Sequence, residues 1–448
     1  MFTIHLSRLI AGLGLLASGC CVLAQNNRCT EDDAAPSKSG RDSTMLETAT
    51  ADPRAQLQEL IGMTMQRSHA IGAARLLTLA AKADLDETRM SRWPVVNATT
   101  SGTYINNSAG GIPQSKGMLG TTNVSVSAPL FDWGRISKLT EWREQMAESA
   151  RLGEVNAEEQ LAYQTVSLAL DRGRYVLQAQ VYGQYMRKMS CLVDALQQVI
   201  KADRGRASEL VQAQKSYQQA DLSYEQTLSA LRSTETRLRR LVGEQLPPTA
   251  SMSSVLVRLP DIDALQQDIM LAPDVAQADA NVKAQRSYAE SVLAGQRPSV
   301  SLIANGTIQA GASRATDWSG GLAVSIPIVQ PSANATLTAA HRRAQAAALQ
   351  RDDTIEAKRY RLIEMYDSAA ASLDRSRRIV EILRNSDRLR VATMQQWQQL
   401  GRRSLFDVMG AEGDYFNMRV AHVNAIFDAQ QVVALMWSMG RGVATPLR

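Results

Sequence analysis

The residues able to do chemistry are few, and their spacing suits none of the common chemistries. His5, His69, His341 and His422 stand far apart along the 448 residues, with no metal-ligand spacing between them. The sequence has no phosphate-cradling P-loop, no dinucleotide-type glycine turn and no nucleophile elbow. An enzyme is therefore not expected, and no cofactor or metal. Cys20 and Cys21 belong to the N-terminal apolar region; Cys29 and Cys191 remain, and nothing brings them together, so both read as free thiols. Arg403 and Asp407 stand one helical turn apart at the start of the last helical tract. Taken alone they are two solvated charges on one helical face, or an i,i+4 pair.

The elements that position these residues are written twice. No proline occurs between Pro129 and Pro247, nor between Pro331 and Pro446. Each tract follows a matching tetrapeptide, Ala128-Pro129-Leu130-Phe131 and Ile326-Pro327-Ile328-Val329. Residues 67–96 align without a gap on 271–300 at an offset of 204, pairing Ala74 with Ala278, Pro94 with Pro298 and Val96 with Val300. The tetrapeptides match at 198, and Gly205-Arg206 falls on Gly401-Arg402 at 196. Self-similarity at this scale is read before any single motif. The expected organisation is a first repeat over 51–248 (hairpin about 95–129, helical pair about 133–243) and a second over 249–448 (hairpin about 299–328, helical pair about 332–440).

Four strands follow from alternation. Val124 and Val126 fall on one face, Asn123, Ser125 and Ser127 on the other; Leu322 and Val324 share a face in the fourth strand. Gly/Ser/Asn-rich loops are expected at about Ile105–Leu119 and Gln309–Asp317. Ten-residue strands with one apolar and one small-polar face suit a membrane β-barrel with a wet lumen, or a soluble antiparallel sheet. Four strands cannot close a barrel alone, so several copies must share one. The helical tracts carry a heptad pattern: Leu210/Ala213, Tyr217/Ala220 and Tyr224/Thr227 in the first repeat, Phe406/Met409, Gly413/Phe416 and Val420/Val423 in the second. Left-handed coiled-coil packing follows. A tract of about seventy residues would reach about 105 Å, longer than any compact domain needs.

Net charge is +5, with Lys and Arg interspersed among Asp and Glu, a solvated helical face rather than a nucleic-acid patch. Residues 1–24 read as a signal peptide: Arg8 precedes the apolar run Leu9–Leu16, and Val22-Leu23-Ala24 suits cleavage. A lipoprotein-like box at Leu16–Cys20 is the alternative, with Ala17 where Leu is preferred. Residues 25–50 read as a disordered leader.

The order helix, hairpin, long helical pair, repeated, resembles the TolC-type outer-membrane efflux protein family over about residues 53–443. Ala128-Pro-Leu-Phe-Asp-Trp-Gly-Arg135 and Gly401-Arg-Arg-Ser-Leu-Phe-Asp-Val408 carry the likeness, the latter closest to the type I secretion branch. The resemblance implies an α+β membrane protein with four strands per protomer: a long antiparallel coiled-coil helical barrel joined to a transmembrane β-barrel, built from two repeats and closed by trimerisation. It further implies a homotrimer in the outer-membrane lipid of a Gram-negative bacterium, extending into the periplasm. Docking to a periplasmic adaptor (membrane fusion) protein and an inner-membrane ABC or proton-driven transporter follows. In the family's periplasmic gate, Asp407 matches the first of two aspartates and Arg403 a basic residue, while Gly410 replaces the second aspartate. Val329-Gln330-Pro331-Ser332 departs from the usual junction after the fourth strand. The function implied is a passive exit duct for polypeptides or small molecules, including multidrug efflux. A periplasmic coiled-coil scaffold without transport and a stand-alone porin are the alternatives, and cargo is beyond the sequence.

Overall fold

The computed structural model describes residues 52–109, 112–202, 204–248, 252–400 and 403–447. The expected signal peptide and leader, Cys29 and Gly401-Arg402 lie outside the described residues.

Two short helices come first. In α1 (Pro53–Arg67) proline occupies the first turn, where its missing N–H costs nothing, and Asp52 caps the Arg54 amide at 3.0 Å. Ser68 ends α1 and caps α2 (His69–Met90) through the Ile71 amide. The strands β1 (Val95–Ala109) and β2 (Ile112–Phe131) follow, then α3 (Arg135–Ala202) and α4 (Ala207–Val242). The second half runs α5 (Ile262–Ile269), α6 (Pro273–Ala294), β3 (Ser299–Gly311), β4 (Ala315–Ser325), α7 (Ala333–Leu400) and α8 (Leu405–Ser438). Helices α2 and α6 each have 22 residues, and α3 and α7 each have 68. At 1.5 Å per residue the last two are about 102 Å long. Among the described residues no helix is long and apolar enough to cross a membrane.

The four strands form one antiparallel sheet in the order β1-β2-β3-β4, leaving β1 and β4 at its borders. The hairpins are longer, and their loops shorter, than composition predicted. Ile105 pairs with Gly117 and Thr103 with Leu119, inside the stretch expected as loop. Ladder hydrogen bonds to a neighbouring strand hold small polar residues that have little strand preference of their own.

Below the sheet, α3 packs on α2 and α6, and α6 on α7. Farther down, α3 packs on α4 and α8, and α8 on α7, so the four long helices run laterally α4–α3–α8–α7. The main core lies midway, where Leu57, Leu170, Leu238, Ile269 and Phe427 are nearly inaccessible. A second core near the hairpin tips joins Met189, Leu192, Leu196, Ala213, Leu405 and Met409. The heptad stripe of α4 is buried at Ala213, Ala220, Thr227 and Thr234, small residues that let neighbours approach closely. In α8 the first seam position fails: Phe406 is exposed, and its neighbours Leu405 and Val408 take the buried positions against α3 and α7 instead. Cys191, expected as a free thiol, is disulfide-bonded; its partner lies outside the described residues.

Candidate functional site

The register settles the two faces of the sheet. Val124 pairs with Ala98 and Gly306, Val126 with Val96 and Ala304, and Leu322 and Val324 with Leu302 and Val300. Since facing residues in a ladder share a side, these form one apolar face. Tyr104 and Trp318 lie on it toward the hairpin ends, and Val124, Leu322, Val324 and Trp318 are all exposed there. The opposite face collects Asn123 and Ser125 with their partners Thr99, Asn97, Thr307 and Asn305, and, toward the helices, Ser127 between the apolar Val95 and Ile303. Thr307 Oγ1 donates to Asn123 Oδ1 at 3.2 Å.

At the strand-to-helix junctions the two halves differ. After β2, Asp132 accepts from the amides of Gly134 (3.0 Å) and Ile136 (2.7 Å), starting α3. The turn passes through positive φ at Trp133 (55°) and Gly134 (81°), and Arg297 lies over the Trp133 ring. After β4 the segment Val329–Ser332 turns without positive φ, although its backbone hydrogen bonds (Ala333 to Gln330, Thr336 to Ser332) match those of the first junction (Arg135 to Asp132, Lys138 to Gly134). Just inside α3, Lys138 bridges Glu290 and Glu141, each at 2.9 Å, and these hydrogen bonds push its ammonium up to about 12.

The tip of the second hairpin holds Arg403 and Asp407. The Asp407 carboxylate accepts from the Ser404 amide at 3.2 Å, and Ser404 Oγ accepts from the Phe406 amide, a reciprocal cap that starts α8. Arg403 stands just outside that helix. Its guanidinium is 3.9 Å from Asp407 and donates to Gln396 at 3.1 Å, and both charged groups are about half exposed. The pair anticipated from spacing thus exists, with a capping role for Asp407 that spacing alone did not give.

Above the tip lies a buried charge cluster that the sequence reading missed. Glu412 on α8 is 1 % exposed, 3.9 Å from Lys188 on α3 and 3.6 Å from Arg390 on α7. Arg390 also pairs with Asp387 at 2.8 Å and lies over the Tyr415 ring. Further polar links climb the α3–α8 seam: Arg419 to Gln184, Gln178 to Asn424, Arg174 to Asp428 and Gln431 to Asp171. Burial pushes the Asp171 carboxyl up, against the opposing pull of Arg174. Higher still, Glu159 accepts the Val443 amide, and burial raises its carboxyl as well. The signal was present as polar residues at inward positions of facing helices, but their partners are more than 200 residues away in sequence.

The described residues hold no group of three His, Cys, Asp or Glu able to bind a metal, and His422 is buried on α8 among helix contacts.

The profile of the outer membrane efflux protein family matches residues 60–244 and 264–441, both halves of the chain. The protein belongs to that family. Members are outer-membrane channels of Gram-negative bacteria that reach into the periplasm, which gives this protein its location. The fold agrees with solved members. CusC matches with a TM-score of 0.77 at 17% identity, over 91% of this chain and 99% of its own. VceC of Vibrio cholerae matches at 0.76 and 18%, over 86% and 96%. MtrE of Neisseria gonorrhoeae, in an open state, matches at 0.73 and 15%, over 90% and 94%. No curated protein sequence matches the chain.

Proposed function

We propose that this outer membrane efflux protein is the passive exit duct of a tripartite export system, working as a homotrimer. The observation that carries the reading is the four-stranded sheet with two exposed faces and two unpaired borders, mounted on helices about 102 Å long. A border strand in hydrocarbon leaves its amides and carbonyls unsatisfied, so only closure by further copies makes the sheet fit for a bilayer. Three copies give twelve strands. Asn123, Ser125 and Ser127 then line the wet lumen, while Val124, Val126, Leu322 and Val324 face lipid. The paired lengths of α2 with α6 and α3 with α7 support descent of the two halves from one duplicated unit.

The helical part extends below as a tunnel whose tip carries Asp407 and Arg403, the gate. A periplasmic adaptor and an inner-membrane ABC or proton-driven transporter supply opening and energy, since the chain has no nucleotide-binding motif. Cargo is a secreted polypeptide, as the likeness of the Gly401–Val408 segment to the type I secretion branch implies, or a small molecule. The purified protein should have a trimer's mass in detergent and conduct ions across a planar bilayer. Deleting its gene should remove a polypeptide from the medium or raise sensitivity to drugs or metal ions. A stable, non-conducting monomer would overturn the reading.

A further inference from the structure

The lateral order α4–α3–α8–α7 leaves each protomer with two free helical edges, α4 on one side and α7 on the other. Asp221 and Glu225 on α4 and Arg384 and Arg388 on α7 are all exposed, and none has an ion-pair partner among the described residues. Beside them stand Leu222, 60% exposed, and Leu389, 55% exposed, far more than large apolar side chains need show.

The two edges carry these groups at one level. Gly183 of α3 meets the Tyr224 ring of α4, and Tyr185 of α3 packs on Phe416 of α8 at 5.0 Å. Arg390 of α7 lies 4.7 Å from the Tyr415 ring centroid. A single level therefore runs from Leu222–Tyr224 through Gly183–Tyr185 and Phe416 to Leu389–Arg390. Asp221 and Glu225 fall within about one turn, 5.4 Å, of Arg388 and Arg384. At about 100° per residue, Asp221 lies to one flank of the free face of α4 and Leu222 to the other. Arg384 and Arg388 are set apart from Leu389 on α7 in the same way. A closed ring relates copies by rotation without translation, so groups at one level on opposite edges meet. The helices run in opposite directions, and the charged flank of one edge then faces the charged flank of the next.

We propose that the Asp221/Glu225 edge of α4 docks on the Arg384/Arg388 edge of α7 of a second copy, with Leu222 against Leu389, and that this seam sets the register between protomers. The proposal rests on the ring reading of the preceding subsection. Opposite charges at matched heights on two different surfaces make a head-to-tail contact that closes only in one register: a heptad shift one way would set Leu228 and Arg232 against the arginines, and the other way the uncharged Gln214 and Gln218.

The test is oxidative cross-linking of the full chain carrying Asp221→Cys with Arg388→Cys. A dimer and trimer ladder on non-reducing gels is expected. Asp221→Cys with Arg375→Cys, about 20 Å out of level, should give none, and neither should the parent chain. In parallel, Asp221→Arg with Glu225→Arg should cause loss of the detergent-resistant trimer, and adding Arg384→Glu with Arg388→Glu should restore it. A parent chain of trimer mass with no ladder from the level pair, or no rescue by the second charge reversal, overturns the seam and leaves the ring reading standing. A monomer mass overturns both. Capture of the level cysteines in cells by a different polypeptide, with no ladder, would seat another occupant on the edge and also overturn it.

Discussion

Glu412 and Arg390 meet at 3.6 Å across the α7–α8 interface, and the carboxylate, 1 % exposed, has Lys188 of α3 on its other side. Three helices thus share one buried anion. Removing the shared anion takes an opposite charge from both Lys188 and Arg390 in a medium of low polarity, and although Arg390 keeps Asp387 the loss is about 3–5 kcal/mol. Glu412→Ala should lower stability toward guanidinium by that amount in detergent solution, followed by circular dichroism. A loss below about 1 kcal/mol, the range of a solvated pair, would show that water reaches the cluster.

The two faces of the sheet predict a labelling pattern. Cysteines in place of Asn123, Ser125 and Ser127 should react with a membrane-impermeant thiol reagent in the assembled protein. Those in place of Val124 and Val126 should not. Equal reaction of both sets would mean that the polar face does not line an aqueous space.

Asp407 combines a cap and a charge, and two variants separate them. Asp407→Asn keeps an oxygen for the Ser404 amide and removes the charge; Asp407→Ala removes both, losing roughly 0.5–1.5 kcal/mol with that hydrogen bond. Both should weaken cation preference and block by divalent or trivalent cations in planar-bilayer recordings, and only Asp407→Ala should also destabilise the tip. Arg403→Ser should raise conductance by freeing Gln396 and Asp407. Parental conductance and block in all three would place the constriction elsewhere.

Glu159 links the C-terminal segment to α3, and burial holds its carboxyl above the ordinary value of 4.5. The folded protein therefore binds this proton more tightly than the unfolded chain does. Stability contributed by the protonated form is full below pH 4.5 and declines as pH rises through the raised value. Glu159→Gln, which can still accept the Val443 amide through its carbonyl oxygen, should flatten the fall in stability above pH 4.5. An unchanged pH profile would assign the dependence to Asp171, whose shift has the same sign.

The long elements were legible because they are periodic. Proline-free tracts and heptads located α3, α4, α7 and α8, and alternation located the strands, since each pattern reports a face rather than a partner. The hairpin ends were not legible: Ile105 and Leu119 sit in glycine- and serine-rich surroundings that only the facing strand holds extended. The polar rungs between α3 and α8 escaped for a related reason. Asp171 and Gln431, or Lys188 and Glu412, acquire meaning only once two distant helices are side by side. Asp407 was recognised as a charge by its position, while its cap depended on the backbone turn at Ser404.

The bare borders of the sheet bear on how the protein is made. β1 and β4 each present a row of unpaired peptide groups and a flank of exposed side chains such as Trp318. In water such a margin recruits any extended chain that passes. If the protein assembles as the proposed trimer, a newly exported copy is a transient hazard, and its safe lifetime in the periplasm is set by how fast it meets its siblings or an escort. Biogenesis, more than the finished channel, is the stage at which crowding, temperature and expression level should decide the yield.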